Sequence, residues 1–209
     1  MPKLLDLFCG AGGCSVGYHR AGFEVVGVDI EPMPHYPFEF HQSDALEYLQ
    51  KHGHEFDAIH ASPPCQGFSA MQHIRKNSAA HADLVEPVRL LLLQTEKPYV
   101  IENVRGAPLV GATMLCGSFF GLKIIRHRYF ECPWMPLVMM PPCNHNGVFD
   151  PWHGQDRTAG KFRAAMDIDW MPIGGGRSSG KARPGNINQA IPPAYTEWIG
   201  KQLMEVLNA

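Results

Sequence analysis

Apolar positions in the first hundred residues come in two alternating rhythms. Four short runs, Lys3–Phe8, Glu24–Asp29, Phe56–His60 and Tyr99–Glu102, are largely apolar and rich in Leu, Val or Ile. Runs this short, without clear polar alternation, fit strands covered on both faces. Between them, Gly13–Ala21, Asp44–His52 and Asp83–Gln94 carry the spacing of helices. Ser43 or Asp44 supplies the cap of the second. Strands alternating with helices predict an α/β protein: a Rossmann-like, mostly parallel sheet flanked by helices.

This regularity fades after about residue 122. Residues 123–131 read as a strand or hairpin. Residues 132–185 are rich in Pro and Gly, including Pro141-Pro142 and Gly174-Gly175-Gly176, and show no period. They read as a small irregular insertion. Pro192-Pro193 then precede a last helix carrying Trp198, Ile199, Leu203, Val206 and Leu207. The expected organisation is a body over 1–131, an insertion over 132–185 and a returning segment over 186–209.

Composition narrows the class. With 209 residues, 45% hydrophobic and 18% charged, the chain can bury a core and is not a disordered polymer. Its longest apolar run, Leu90–Leu93, is far short of a membrane span. Asp6 inside the first apolar stretch argues against a signal peptide. Six cysteines without an export signal are expected as reduced thiols, which points to the cytoplasm. The net charge of −2 hides an asymmetry: residues 123–185 hold nine Lys or Arg against five Asp or Glu. Such a segment can meet phosphates on an otherwise acidic body, although a solvated loop explains it equally.

Three motifs carry candidate chemistry. Phe8-Cys9-Gly10-Ala11-Gly12-Gly13 joins the first strand to its helix, where glycines admit a ligand to the backbone. Asp29, ending the second strand, can accept hydrogen bonds from ribose hydroxyls. G-x-G-x-x-G is not met, because Ser15 stands at the third glycine. Pro63-Pro64-Cys65-Gln66-Gly67-Phe68-Ser69 follows the third strand and puts a thiol at the ligand-facing edge. Glu102-Asn103-Val104 ends the fourth, where a glutamate of raised pKa could protonate a substrate nitrogen. Taken singly, each has a bland alternative: turn glycines, a packed cysteine, an exposed glutamate.

Together, in order, these pieces resemble the DNA cytosine-C5 methyltransferases. The matching stretches are D-L-F-C-G-A-G-G (6–13), V-D-I (28–30), S-D-A-L (43–46), P-P-C-Q-G-F-S (63–69), I-E-N-V (101–104), R-H-R-Y-F-E (126–131) and N-Q-A-I-P-P-A-Y (188–195). The resemblance implies the class I S-adenosylmethionine-dependent methyltransferase fold, with 132–185 as a compact target-recognition region. It implies S-adenosylmethionine held by Phe8, Gly10, Gly12, Asp29, Ile30, Asp44, Pro64 and Ala190. The implied catalytic residues are Cys65, attacking C6 of a flipped cytosine, Glu102 on N3 and the exocyclic amine, and Arg128 on O2. Gln66, Ser69, Asn103 and Arg126 are implied substrate contacts, and Gly67, Phe68 and Gln72 share the loop. The implied partner is double-stranded DNA, touched by Arg157, Lys161, Arg163, Arg177, Lys181 and Arg183, with the protein a monomer and no membrane involved. Ile124 stands where the family has Gln, and Asn188-Gln189 where it has Gly-Asn.

Other readings compete. A branch of this family acts on tRNA; a nucleic-acid binder could have lost catalysis; the first glycine turn alone would suit a nicotinamide-dependent oxidoreductase. No metal is the favoured expectation. The alternative is zinc on Cys132, Cys143 and His145, with His153 beyond, although their spacing fits no standard finger. His60, His73, His127 and His145 are read as packed or surface residues, since the chemistry requires none of them.

Overall fold

The computed structural model describes residues 1–64, 83–136, 140–146, 159–171, 187 and 189–209. Seven strands form one sheet: β1 (Lys3–Leu7), β2 (Glu24–Asp29), β3 (Glu39–Gln42), β4 (Ala58–Ala61), β5 (Tyr99–Asn103), β6 (Thr113–Leu115) and β7 (Arg128–Glu131). Their order is β3-β2-β1-β4-β5-β7-β6. β1 to β5 pair parallel, and β7 runs antiparallel to both neighbours. The helices are α1 (Gly13–Arg20), α2 (Ala45–His52), α3 (Val85–Gln94), α4 (Ala159–Met166) and α5 (Pro193–Leu207).

Alternation along the strands divides the core into two layers. Leu5 and Leu7 of β1, Val26 and Val28 of β2, and Ile59 and Ala61 of β4 face α2 and α3, which contribute Leu49, Val88 and Leu92. Leu4, Val25, Ala58 and Val100 face the other way, onto Tyr18 and Phe23 around α1 and onto Tyr195, Ile199 and Leu203 of α5. Full burial of side chains of this size stabilises by about 1.5–3 kcal/mol each. α5 lies tight on α1: a Cβ at Gly17 would fall 2.0 Å from Thr196 Oγ1 and 2.2 Å from the Pro193 carbonyl. Thr196 Oγ1 donates to the Cys14 carbonyl at 2.8 Å.

Two strands escaped the sequence reading. β3 is a polar edge strand, E-F-H-Q, without an apolar rhythm. β6 is three residues long and takes its place only by pairing with β7. Residues 123–131 therefore do not close a hairpin among themselves. α4 lies in the stretch read as irregular, and its Phe162 and Met166 join Ile124, Ile168, Met171 and Ile187 in a small third cluster. Among the described residues no helix is long and apolar enough to cross a membrane.

β7 is held by a buried ion pair. The Arg89 guanidinium of α3 donates to both Glu131 oxygens at 2.8 Å. Glu131 also accepts from the Val110 N–H at 2.8 Å and Tyr99 Oη at 3.3 Å. Removing one partner of such a pair costs about 3–5 kcal/mol.

The α1 side of the sheet also carries polar residues. Asp6 and His60 are register partners on β1 and β4, and both are fully buried. Ser15 Oγ donates to Asp6 and accepts from Tyr36 Oη. His60 shares hydrogen bonds of 2.9 Å with Tyr18 Oη and Ser62 Oγ. Burial pushes Asp6 up to about 7, opposed by the Ser15 hydroxyl. Burial pushes His60 down to about 3.

The two act on stability with opposite signs. Between about 4 and about 7 folded Asp6 keeps a proton that the unfolded chain has released, so its contribution is lost as pH rises. Between about 6.5 and about 3 folded His60 refuses a proton that the unfolded chain accepts, so stability is lost as pH falls. Asp6→Asn is expected to steepen the acid-side loss. His60→Gln is expected to leave a fold that weakens towards neutrality. Urea midpoints across this interval check both, and unchanged slopes would reject the protonation states.

Candidate active site

The candidate residues gather at the carboxyl ends of the parallel strands, where open α/β sheets bind ligands. At β1 the chain turns sharply: Phe8 takes φ 57 and Gly10 φ 50, both left-handed. A non-glycine residue in that region costs roughly 1–3 kcal/mol, so Phe8 stores strain at the mouth of the site. The turn closes with the Gly12 N–H donating to the Cys9 carbonyl at 3.1 Å. The Gly10 N–H donates to Asp29 Oδ2 at 3.0 Å, tying this turn to the end of β2.

The glycines here differ in what surrounds them. A Cβ on Gly12 would meet Pro37 at 2.9 Å and Tyr36 at 3.2 Å; one on Gly13 would meet the Ile191 carbonyl at 2.4 Å. Both are sealed by the chain itself. A Cβ on Gly10 would meet nothing within 4 Å. Beyond it lie Ile30, 66% exposed at the end of β2, and Asp44. Asp44 caps α2 with Oδ1 alone, which accepts from the Leu46 and Glu47 N–H groups. An open cradle at Gly10, a carboxylate at Asp29, an exposed apolar side chain and a second carboxylate suit a nucleoside with a ribose and an exocyclic amine.

The second half of the site lies between β4, β5 and β7. Glu102 is 6% exposed at the end of β5, and Arg128 opens β7 beside it. Arg128 Nε stands 3.1 Å from Glu102 Oε1, an ion pair not aligned as a hydrogen bond. Burial raises the Glu102 pKa, while Arg128 and then Arg126 pull it down. Arg128 Nη1 also donates to the His127 carbonyl at 2.9 Å.

Two expected substrate contacts are engaged within the protein. Asn103 is 1% exposed, and its amide is spent on the protein: Nδ2 donates to the Pro63 carbonyl at 3.1 Å and Oδ1 accepts from the Val104 N–H at 2.8 Å. It holds the approach to Cys65 onto β5. Arg126 is 2% exposed; Nη2 donates to the Ala190 carbonyl at 2.7 Å and its guanidinium lies 5.9 Å from the Phe162 ring centroid. It anchors the returning C-terminal segment.

Pro64 is exposed and Ala190 half-buried. Lys161 is exposed on α4 and Arg163 half-buried. Cys65, Gln66, Gly67, Phe68, Ser69, Gln72, His73, His153, Arg157, Arg177, Lys181 and Arg183 lie outside the described residues. Cys132 is in the core with Leu115 and Phe130, whereas Cys143 and His145 meet Cys116 and His127. The zinc alternative on Cys132 is thereby corrected. Sequence reasoning missed Tyr36, which covers Gly27 and bonds Ser15, and no local pattern announces it.

Residues 2–109 match the C-5 cytosine-specific DNA methylase family model, and the chain belongs to that family. Its mostly parallel seven-stranded sheet flanked by helices is the α/β architecture that the strand pattern predicts. The type II methyltransferase M1.HphI of Haemophilus parahaemolyticus is 36% identical over 119 residues, taking in 48% of this chain and 32% of that protein. M.XorII of Xanthomonas oryzae pv. oryzae is 31% identical over 121 residues (50% of this chain, 28% of that protein). M.AquIA of Picosynechococcus sp. is 31% identical over 121 residues (50% and 49%). The chain thus spans half or less of these relatives' length. Among solved structures, S. pombe Dnmt2 methyltransferase aligns with a TM-score of 0.47 and 17% identity, covering 66% of this chain and 53% of that one.

Asn103→Ala is expected to cost about 1–3 kcal/mol, because it strips partners from the Pro63 carbonyl and the Val104 N–H. Denaturant unfolding checks this, and an unchanged midpoint would show that the clamp is idle.

Proposed function

We propose that this protein methylates C5 of cytosine in double-stranded DNA. The observation that carries the reading is the buried Glu102 beside Arg128, on β5 and β7, with β5 next to β4, which leads in sequence to Pro63, Pro64 and Cys65. Cytosine C5 is a poor nucleophile until C6 is substituted. Cys65 adds to C6 as a thiolate, which makes C5 an enamine carbon. Glu102, raised towards its protonated form by burial, holds a proton at N3 and accepts from the exocyclic amine. Arg128 holds O2. Loss of the C5 proton then returns the electron pair to the ring and expels Cys65. The target atom is hidden in a duplex, so the base leaves the stack to be reached.

S-adenosylmethionine, when bound, supplies an electrophilic methyl group. Residues that fit it are Phe8 and Gly10 around the open turn, Asp29 for the ribose hydroxyls, Ile30 against the adenine face and Asp44 Oδ2 for the adenine amine. Pro64 and Ala190 border the same edge. Lys161 and the basic residues of 157–183 would meet phosphates, which position the duplex without reading its bases.

Labelled methyl transfer into unmethylated genomic DNA, with base-resolution sequencing, tests the reading. Marks at C5 within one short motif are expected; transfer to tRNA alone, or to neither, would overturn it. Cys65→Ala is expected to abolish turnover. Glu102→Gln is expected to slow turnover about 10²–10⁴-fold with little change in DNA affinity. Gly10→Val is expected to keep the fold, at about 1–2 kcal/mol for the left-handed backbone, and to lose donor binding measured by calorimetry.

A further inference from the structure

We propose that Cys116, His127, Cys143 and His145 bind a zinc ion that staples residues 140–146 to the β6–β7 edge of the sheet. One donor atom from each lies within 4.8 Å of all the others. His127 Nε2 is 3.3 Å from His145 Nε2, Cys116 Sγ is 3.4 Å from His145 Nε2, and Cys143 Sγ is 3.5 Å from His127 Nε2. A tetrahedral zinc with bonds of ~2.3 Å to sulfur and ~2.0–2.1 Å to nitrogen sets N···N at ~3.3–3.4 Å and N···S at ~3.5–3.6 Å. Three of the six edges of the cluster therefore already have the lengths of a tetrahedron around such an ion, and the others are at most 4.8 Å. Hydrogen bonding alone accounts for it poorly, because each imidazole Nε2 meets the other as well as a sulfur.

Surrounding contacts fit a metal site. Ser118 Oγ donates to Cys116 Sγ at 3.3 Å and accepts from the Asn144 N–H at 3.3 Å. Hydrogen bonds of this kind orient ligands around a metal. Two Cys and two His give a closed, four-coordinate set without an open position, which is structural rather than catalytic. The ligands come from three places: Cys116 after β6, His127 just before β7, and Cys143 with His145 on the 140–146 segment. All four lie beyond residues 2–109, so the family match does not assign them.

The staple has a consequence for the site that rests on the methyl-transfer reading. The His127 carbonyl accepts from Arg128 Nη1, so fixing the His127 imidazole also fixes one of the two anchors of Arg128. The metal is thus a positioning device for Arg128 and a base for the residues that follow 146.

The test is metal content of the full chain grown with zinc and purified without chelator. A single zinc per chain is expected. Replacement by cobalt should give the visible d–d and thiolate charge-transfer bands of a tetrahedral S2N2 centre. Cys143→Ser and His145→Ala should lose the metal, whereas Cys132→Ala, outside the cluster, should keep it. Where a variant does not fold, the cobalt spectrum of the unaltered chain and zinc release on thiol alkylation decide. A metal-free chain without a cobalt spectrum, a Cys116–Cys143 disulfide in the purified protein, or metal retained by both ligand variants would overturn the site. Zinc content and spectrum are read without turnover, so an inactive but metal-bearing protein would reject methyl transfer and leave the staple standing.

Discussion

A carboxylate withdrawn from water must be neutralised, paired or hydrogen-bonded, because uncompensated burial of the charge is prohibitive. Glu102 is the point at which this sheet meets that constraint. It sits one residue from the end of a strand that is buried along its whole length. The next strand in the sheet is not the next in sequence. β7 enters antiparallel between β5 and β6, so that its first residue, Arg128, arrives beside Glu102. A parallel β7 would bring its other end, Glu131, to this edge and set a second carboxylate beside Glu102. The reversal of one strand thus sets both the electrostatics of the site and its place on the molecule.

Strain and support elsewhere serve the same edge. The Arg89–Glu131 pair locks the far end of β7, Asn103 fixes the start of the thiol-bearing loop, and Arg126 holds the C-terminal segment. Each is a buried polar residue whose partners are backbone or side-chain groups of another element. The exposed groups, Ile30 and Asp44 among them, are free of such duties or, like Asp44, confine them to one oxygen. The site is a thin polar rim on a heavily cross-tied frame.

The frame was legible wherever burial on two faces imposes composition. β1, β2, β4 and β5 could be read from their apolar runs, and α1, α2, α3 and α5 from their spacing and caps. β3 and β6 could not, because an edge strand and a three-residue strand owe their existence to a neighbour's hydrogen bonds. Glu102 and Arg128 were legible through motifs, while the interior duty of Asn103 and Arg126 was not. A motif names a residue but does not say which way it points. Cys116 and His127 were hidden for a third reason: they sit 11 positions apart, and His127 a further 16 from Cys143, in no local pattern. Only the β6–β7 pairing brings them together.

The contact of α5 with α1 joins the two ends of the chain. Gly13 lies against Ile191 and Gly17 against Thr196, so the glycine turn that borders the candidate donor site is sealed by residues made long after it. During synthesis the first strand and helix leave the ribosome before α5, and Tyr18 and Phe23 lack the cover of Tyr195, Ile199 and Leu203 until it emerges. The amino-terminal half cannot mature as an independent unit while the rest is being made. A product that stops short of α5 would expose that apolar layer and be a substrate for proteolysis, so competence at the glycine turn waits on a helix far removed from it in sequence.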